Sequence, residues 1–594
     1  MDKKNAIKGG EFIVRQTEAN EVFIPEEFGE EPRLIAQSCQ DFLDTEVMPN
    51  LDRLDAHEEG LMPSILKKAG ELGLLGISIP EEYGGFGQNF VTSMLVADVL
   101  GAGYAFSVAY SADTGIGTLP IMYYGNEEQK QKYLPGLAMG ELLGAYCLTE
   151  PGAGSDANSG KTKAVLNEAG THYILNGSKM WITNGGFADI LTVFAKIDED
   201  RILSAFIVER NYPGITFNTE EHKMGIKGSS TVQIFFNDCE VPVENLLGKR
   251  GDGFRIALNI LNLGRIKLGA NVIGASKSAI NQSVQYSNER KQFKTLISNF
   301  GAIKYKLAQQ VIKAFANETA VYRISKNIDD AVKRNIANGM EKGQANVEAQ
   351  REFAIEAALI KVFASEMLDY VVDEGVQIHG GMGYSAETLI ERGYRDSRIN
   401  RIFEGTNEIN RNVTADTLIK KGQKGEIPIF EEAAKILEYL DKFPESPQFK
   451  GEYFEDAKMT VMNFKSTFLL LIDAAQKKFG RKLSREQEIL FNFSDIIMES
   501  YVAESLMLRV KRLQETKDEK AGAIYKDILD IYLFDSANIV YKNGLEAIYS
   551  FIDEADQSKY LKALRCFTKV KGTNIKEARK RIANKLIDDN KYIF

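Results

Sequence analysis

The stretch Glu150-Pro151-Gly152-Ala153-Gly154-Ser155-Asp156-Ala157 decides the fold. Residues 152–157 match G-x-G-x-x-A, the fingerprint of a dinucleotide-binding βαβ unit. That fingerprint must leave a strand and open a helix. Here a Glu-Pro pair precedes it, and the block upstream is helically patterned. A doubly wound nucleotide domain is therefore rejected. A glycine-rich loop still offers backbone N–H groups to phosphate or to ring carbonyls.

Outward from this loop, residues 143–250 carry short runs rich in Ile, Val, Phe and Thr at 172–175, 190–195, 204–208 and 231–236. Gly, Asn, Asp and Pro separate them, with no helical pattern between. They predict a small antiparallel sheet or barrel. Upstream, 31–142 reads as helices, with near-helical apolar spacing at 36–47 and 90–100 and a turn-rich interruption at 80–87. Downstream, 254–290 contains no Pro and predicts one helix of about 37 residues, roughly 55 Å long, suited to a bundle. Gly264, Gly269 and Gly274 recur within it. Each costs stability relative to Ala, so they mark close packing or ligand approach. Further helices are expected at 299–327, 345–378 and 406–421. Residues 422–428 read as a linker and 430–594 as several amphipathic helices. The fold class is α+β and mostly α, and 594 residues suit about four domains.

Apolar residues make up 44% and charged residues 26%, as in a globular protein. The net charge of −10 disfavours a nucleic-acid partner. Cys39, Cys147, Cys239 and Cys566 are too scattered for a disulfide framework, as are His57, His172, His222 and His379 for a metal site. Free thiols fit a reducing compartment. The first twelve residues lack the apolar run of a signal peptide. The most apolar run, 468–472, is far shorter than the ~20 residues of a membrane span. A soluble, cytoplasmic bacterial protein is expected.

Three further features have a bland and a functional reading. Trp181, the only tryptophan, is first of all a core ring. With Thr183 on the same strand face, it could instead present an aromatic wall and a hydroxyl to a planar ring. Arg392, Arg395, Arg398 and Arg401 recur every three residues, which reads as an ion-paired face before a phosphate site. Phe403-Glu404-Gly405-Thr406-Asn407 precedes a helix. Glu404 is either helix-start chemistry or a base, with Gly405 letting a substrate approach the backbone.

Taken in order, five segments strongly resemble the acyl-CoA dehydrogenase family over roughly residues 40–420. They are Ala145-Tyr-Cys-Leu-Thr-Glu-Pro-Gly-Ala-Gly-Ser-Asp156, Met180-Trp-Ile-Thr-Asn-Gly185, Glu289-Arg-Lys-Gln-Phe293, Gln377-Ile-His-Gly-Gly-Met-Gly383 and Phe403-Glu-Gly-Thr-Asn407. The added helical block and Asn262-Leu-Gly264-Arg265 are most similar to the very-long-chain subgroup. The resemblance implies an N-terminal helical domain (1–142), a β-domain contacting flavin (143–250), a four-helix bundle carrying the base (251–422) and an additional helical domain (423–594).

It also implies FAD between sheet and bundle. Tyr146, Leu148, Thr149, Gly154 and Ser155 match the loop near the flavin, and Trp181 and Thr183 the residues lining its ring. Arg290, Gln292 and Phe293 match a stretch lent to a neighbouring subunit in a homodimer. Gln377, Gly380, Gly381, Thr406 and Glu408 match other FAD contacts. Ser155, Asn262, Arg265 and Gly405 match the substrate side.

Glu404 matches the catalytic base of α,β-dehydrogenation. Flavin N5 takes the hydride, and an electron-transfer flavoprotein accepts the electrons. Some members carry the base on the long helix instead, where this chain has Gly264. Two rivals remain: an acyl-CoA oxidase using O₂, and a non-catalytic scaffold on the same fold. Lys294 stands where the family usually has Gly, which questions the turn beside it. Gly264 leaves room for a longer acyl chain. The basic amphipathic segment 571–590 reads first as packing on preceding helices and second as a peripheral membrane contact.

Overall fold

Runs of Ile, Val and Phe between turn residues build the central sheet. The computed structural model describes residues 7–516 and 519–594, without the side chains of 519–521. The first six residues, part of the stretch read as lacking a signal sequence, lie outside it. The sheet consists of β1 (Gly144–Cys147), β2 (Lys163–Leu166), β3 (His172–Thr183), β4 (Ile190–Ile197), β5 (Ser204–Glu209), β6 (Ile215–Phe217), β7 (Thr231–Pro242) and β8 (Leu246–Leu247). Their order is β6-β7-β3-β2-β4-β5-β8, with β1 also on β4.

Most neighbours are antiparallel, but β1 and β2 run parallel to β4. This corrects the wholly antiparallel expectation. The excursion between β1 and β4 is long enough for a parallel return. The glycine loop does follow a strand, β1, contrary to the helical block expected there. It then makes only a 3-10 turn, Ala157–Ser159, before β2, so no βαβ unit forms.

One face of β4 and β5 packs Phe194, Ala205 and Ile207 against Leu134, Ile256 and Ile260 of the flanking helices. The other face packs Val193 and Phe206 against Leu175, Ile234 and Phe236. The sheet is thereby fixed to the bundle.

The long helix spans Gly253–Glu289, 37 residues. Gly301–Ala337, Ala354–His379 and Asn407–Gln423 join it in the bundle. The helix expected at 345–378 is broken at Phe353, leaving Lys342–Glu352 as a separate piece. Two of the recurring glycines are packing contacts. A Cβ on Gly274 would lie 1.9 Å from the Asp98 carbonyl oxygen, and one on Gly269 would lie 2.7 Å from Ile360 Cγ2.

The ends of the chain meet on the bundle. Phe12, Ile13, Val22 and Ile24 share one core with it and with the helices Tyr453–Phe479, Gln487–Thr516 and Glu519–Phe551. The helices Glu30–Phe42, Leu61–Glu71 and Ala105–Ser111 have a different core, around Phe42, Leu66 and Phe106. Residues 7–28 thus pack outside the domain expected at 1–142. Ile427 is buried as well, so 422–428 is a packed corner. The helix Ile575–Asp589 buries Ala578, Ile582, Ala583 and Leu586 against Gly301–Ala337 and Glu519–Phe551. Arg579 and Arg581 pair with Asp535 and Asp527. The face that could have met lipid is covered by the protein itself. No helix among the described residues is long and apolar enough to cross a membrane.

Candidate active site

A left-handed turn places Glu404. Both Glu404 (φ 57°) and Gly405 (φ 80°) adopt positive φ, just before the helix Asn407–Gln423. The Thr406 hydroxyl caps that helix, accepting the Ile409 N–H at 3.3 Å. A non-glycine residue is strained in this conformation, and neighbouring donors hold it there. Arg265 Nε donates to the Glu404 carbonyl at 3.1 Å. Asn410 Nδ2 donates to the carbonyls of Glu404, Gly405 and Thr406 at 3.3, 2.8 and 3.1 Å. Arg265 is itself buried and donates to Asn262 Oδ1 at 2.9 Å. Two residues matched to the substrate side therefore also position the turn.

The Glu404 carboxyl points back at the long helix. A Cβ on Gly264 would sit 2.6 Å from Glu404 Oε2, so glycine there leaves the carboxyl its place. Glu404 Oε2 is buried without a hydrogen-bond partner. Burial pushes the carboxyl up to about 7, against the pull of Arg265 and Lys361. Lys361 is fully buried and donates to Asn407 Oδ1 at 2.8 Å; desolvation brings its ammonium down to about 7. Sequence reasoning missed Lys361, because its hydrogen-bond partner is 46 positions away. Asn410 was missed too, although its place one turn into a helix that begins with a strained turn was a usable signal.

A cavity of about 190 Å³ opens beside Glu404. It follows the long helix from Ile260 to Gln282, with Leu119, Leu263, Leu368 and Phe403 among its apolar walls. Concave, mostly apolar walls with a few polar groups are the usual form of a ligand site.

The residues expected around FAD lie on several separate elements. Tyr146, within β1, and Leu148, just after it, are buried. Tyr146 meets Phe194 edge-on at 5.0 Å, and its hydroxyl has no partner. The Thr149 carbonyl accepts the Met180 N–H at 2.9 Å, tying the loop to β3. Glu150 staples the same loop by pairing with buried Lys179 at 2.6 Å and accepting the Lys161 N–H at 2.6 Å. Ser155 is exposed, and Cβ atoms on Gly152 or Gly154 would meet nothing within 4 Å.

Trp181 departs from the core reading, being 52% exposed. A register shift between Lys179 and Ile182 and a positive φ of 60° turn its ring out. The simple alternation that paired it with Thr183 does not hold, and Thr183 alone lines the cavity.

Gln377, Gly380 and Gly381 form an exposed helix end where added Cβ atoms on the glycines would again meet nothing. Glu408 is exposed at the next helix start. Hydrogen bonds from its own backbone N–H and the Thr406 hydroxyl hold its carboxyl down. Arg290, Gln292 and Phe293 lie on an exposed hairpin, Lys291–Gln292 with Thr295–Leu296. Phe293 is 90% exposed. The questioned turn forms without glycine, with Phe293 and Lys294 both at positive φ (52° and 65°).

These residues fit FAD. They offer an orphaned buried hydroxyl, an exposed indole, a hydroxyl at the cavity, and glycine turns with room for a bulky anion. Three of the four arginines in the series are ion-paired, Arg392 with Asp52 and Asp55, Arg395 with Glu391, and Arg401 with Asp369.

Comparison with known proteins agrees with this arrangement. Family models described as the acyl-CoA dehydrogenase N-terminal, middle and C-terminal domains match residues 29–141, 145–239 and 251–419. A further model with the C-terminal-domain description matches 463–566. A probable acyl-CoA dehydrogenase of Bacillus subtilis is 44% identical over 98% of each chain. The very long-chain specific acyl-CoA dehydrogenase of Rattus norvegicus mitochondria is 42% identical over 61% of this chain and 53% of its own length. The crystal structure of an acyl-CoA dehydrogenase complexed with FAD from Bacillus anthracis superposes with a TM-score of 0.96, at 44% identity over 99% of this chain and all of that one.

Proposed function

The chain belongs to the acyl-CoA dehydrogenase family of FAD-dependent enzymes, and from that premise we propose that it converts fatty acyl-CoA thioesters to trans-2-enoyl-CoA, the first step of fatty acid β-oxidation. One observation carries the proposal. The Glu404 carboxyl is raised to about 7 and its Oε2 stands unpartnered at the wall of a largely apolar cavity.

A thioester α-C–H is too weak an acid for an ordinary carboxylate in water. Withdrawing Glu404 from water makes it a stronger base, and its protonated form is the one the apolar surroundings favour. Glu404 takes the α-proton as the α,β double bond forms. Bound FAD supplies the acceptor for the hydride leaving the β-carbon. The Glu404 N–H is assigned to the thioester oxygen, where one such donor is worth roughly 10²–10³ in rate. Arg265 and Asn410 hold the turn just after that N–H, through the carbonyls of Glu404, Gly405 and Thr406.

Tyr146, Leu148, Thr149, Gly154, Ser155, Trp181, Thr183, Gln377, Gly380, Gly381, Thr406 and Glu408 are assigned to FAD. Arg290, Gln292 and Phe293 are assigned to the FAD of a second protomer. The exposed Phe293 hairpin supports that homodimer. Ser155, Asn262, Arg265 and Gly405 are assigned to the CoA thioester. An electron-transfer flavoprotein is the assigned acceptor, and oxygen uptake during turnover would instead indicate an oxidase.

Anaerobic titration of the FAD-loaded protein with acyl-CoAs of increasing length tests the reading. Flavin absorbance should bleach with fatty acyl chains and fail to bleach in Glu404→Gln. A flavoprotein that no acyl-CoA reduces contradicts it.

A further inference from the structure

The long helix presents a regular stripe to the cavity: Gly264, Lys267, Asn271, Ala275, Ser278 and Gln282, spaced by three or four residues as one helix face requires. Four of these six side chains are polar. Plain acyl chains need none of them, and burying a polar group without a partner costs free energy.

Lys267 is the one cationic side chain among the cavity walls. It lies a single turn beyond Gly264, and so about 4.5 Å along the helix from the level of the Glu404 carboxyl. Its only hydrogen bond among the described residues goes to the Thr114 hydroxyl. No carboxylate lies within ion-pair distance of it among those residues. Asp113 acts on it from beyond ion-pair distance, with Oδ1 accepting the Gly144 N–H at 2.6 Å and Oδ2 buried without a hydrogen-bond partner. Its Nζ also lies 5.1 Å from the centroid of the Tyr110 ring; a lysine ammonium carries three donors, so at least one is left for something in the cavity. One turn further on, Asn271 donates to Ser111 Oγ at 2.8 Å, while its Oδ1 is buried without a partner. Desolvation also brings Lys267 down to about 7, so an acceptor placed beside it would be met by a poorly satisfied donor.

We propose that Lys267 and Asn271, with Thr114 facing them, form a polar subsite in the acyl cavity for an oxygen atom carried on the acyl chain a few carbons beyond the reacting pair. The subsite rests on the dehydrogenase reading and deepens it. The substrate class becomes oxygenated acyl-CoA thioesters, bearing a hydroxyl or a carboxylate. Lys267 donates to that oxygen, and Asn271 Oδ1 accepts from a hydroxyl when one is present. On this assignment Lys267 determines specificity and takes no part in the chemistry at Glu404.

The test uses the FAD-loaded protein and three acyl-CoAs: a saturated fatty chain, the same chain with a mid-chain hydroxyl, and a chain ending in a carboxylate. The kcat/KM of each is compared in the wild type, Lys267→Met and Thr114→Val. The wild type should prefer at least one oxygenated chain over the plain one. Lys267→Met should lower that preference by about 10-fold to 100-fold, the worth of a hydrogen bond to a charged group. Thr114→Val should shift it in the same direction by less, and it keeps the test open should Lys267→Met fold poorly.

Calorimetric dissociation constants of the corresponding enoyl-CoA products should show the same order. A preference for hydroxyl alone identifies a neutral acceptor, and one for carboxylate an anion. Equal use of all three chains by the wild type overturns the subsite, as does an unchanged preference in both variants. Failure of every chain to reduce the flavin, with the product affinities still ordered, overturns the dehydrogenase reading instead.

Discussion

At the scale of single residues the site depends on what Gly264 lacks and what Glu404 tolerates. Any side chain at 264 collides with the Glu404 carboxyl, and Glu404 itself occupies a backbone conformation that suits glycine. Burial raises Glu404 from 4.5 to about 7. A group raised on folding contributes its stability below its unfolded value and loses it as pH climbs through the folded one. Ionising Glu404 in the folded protein therefore costs on the order of 3 kcal/mol above pH 7. Glu404→Gln keeps the neutral form at every pH. Its thermal midpoint should match the wild type near pH 4 and exceed it by several degrees at pH 8. A constant difference across that range would contradict the burial argument. Glu404 could be singled out in the sequence as the proposed base because its motif has a fixed order with the others. Lys361 was not, since nothing near it in sequence announces a buried partner.

At the scale of elements, the hairpin at 291–296 shows strain that sequence alone could flag. Two-residue hairpin turns with both φ positive call for Gly or Asn, and here Phe293 and Lys294 fill them. Lys294→Gly should relieve roughly 1 kcal/mol of this. Amide exchange of residues 291–296 should slow by about fivefold, and unchanged exchange would mean the turn carries no strain. The long helix was legible to within one residue of its ends, because a 37-residue span without Pro has few alternatives. The turned-out Trp181 was not legible. A bulge between paired strands breaks the alternation on which strand-face reasoning depends, and the sequence around it does not mark the bulge.

At the scale of the whole molecule, the two ends of the chain and the bundle are one packed body. Buried ion pairs cross the same boundary. Glu504 pairs with Arg323 at 2.8 Å and with Lys465, while Arg509 joins Glu26 at 2.8 Å and Glu318 at 2.7 Å. Removing one partner strands buried charges. Glu504→Ala should cost about 3–5 kcal/mol and lower the midpoint of a single unfolding transition for the bundle and C-terminal helices. Separate melting of the C-terminal helices would contradict the shared core. The sequence placed a boundary at 422–428 because it saw a polar, glycine-bearing stretch. It could not see the N-terminal segment crossing over to close the same core, since that contact spans hundreds of positions.

The central claim is that Glu404 removes the α-proton. The most direct measurement is deuterium exchange at the α-carbon of a bound acyl-CoA analogue whose β-position cannot release hydride, followed by NMR in D₂O. The wild-type holoenzyme should exchange that proton. Glu404→Gln should slow the exchange by about 10²–10⁴-fold while still binding the analogue. Exchange at the wild-type rate in Glu404→Gln would place the base elsewhere.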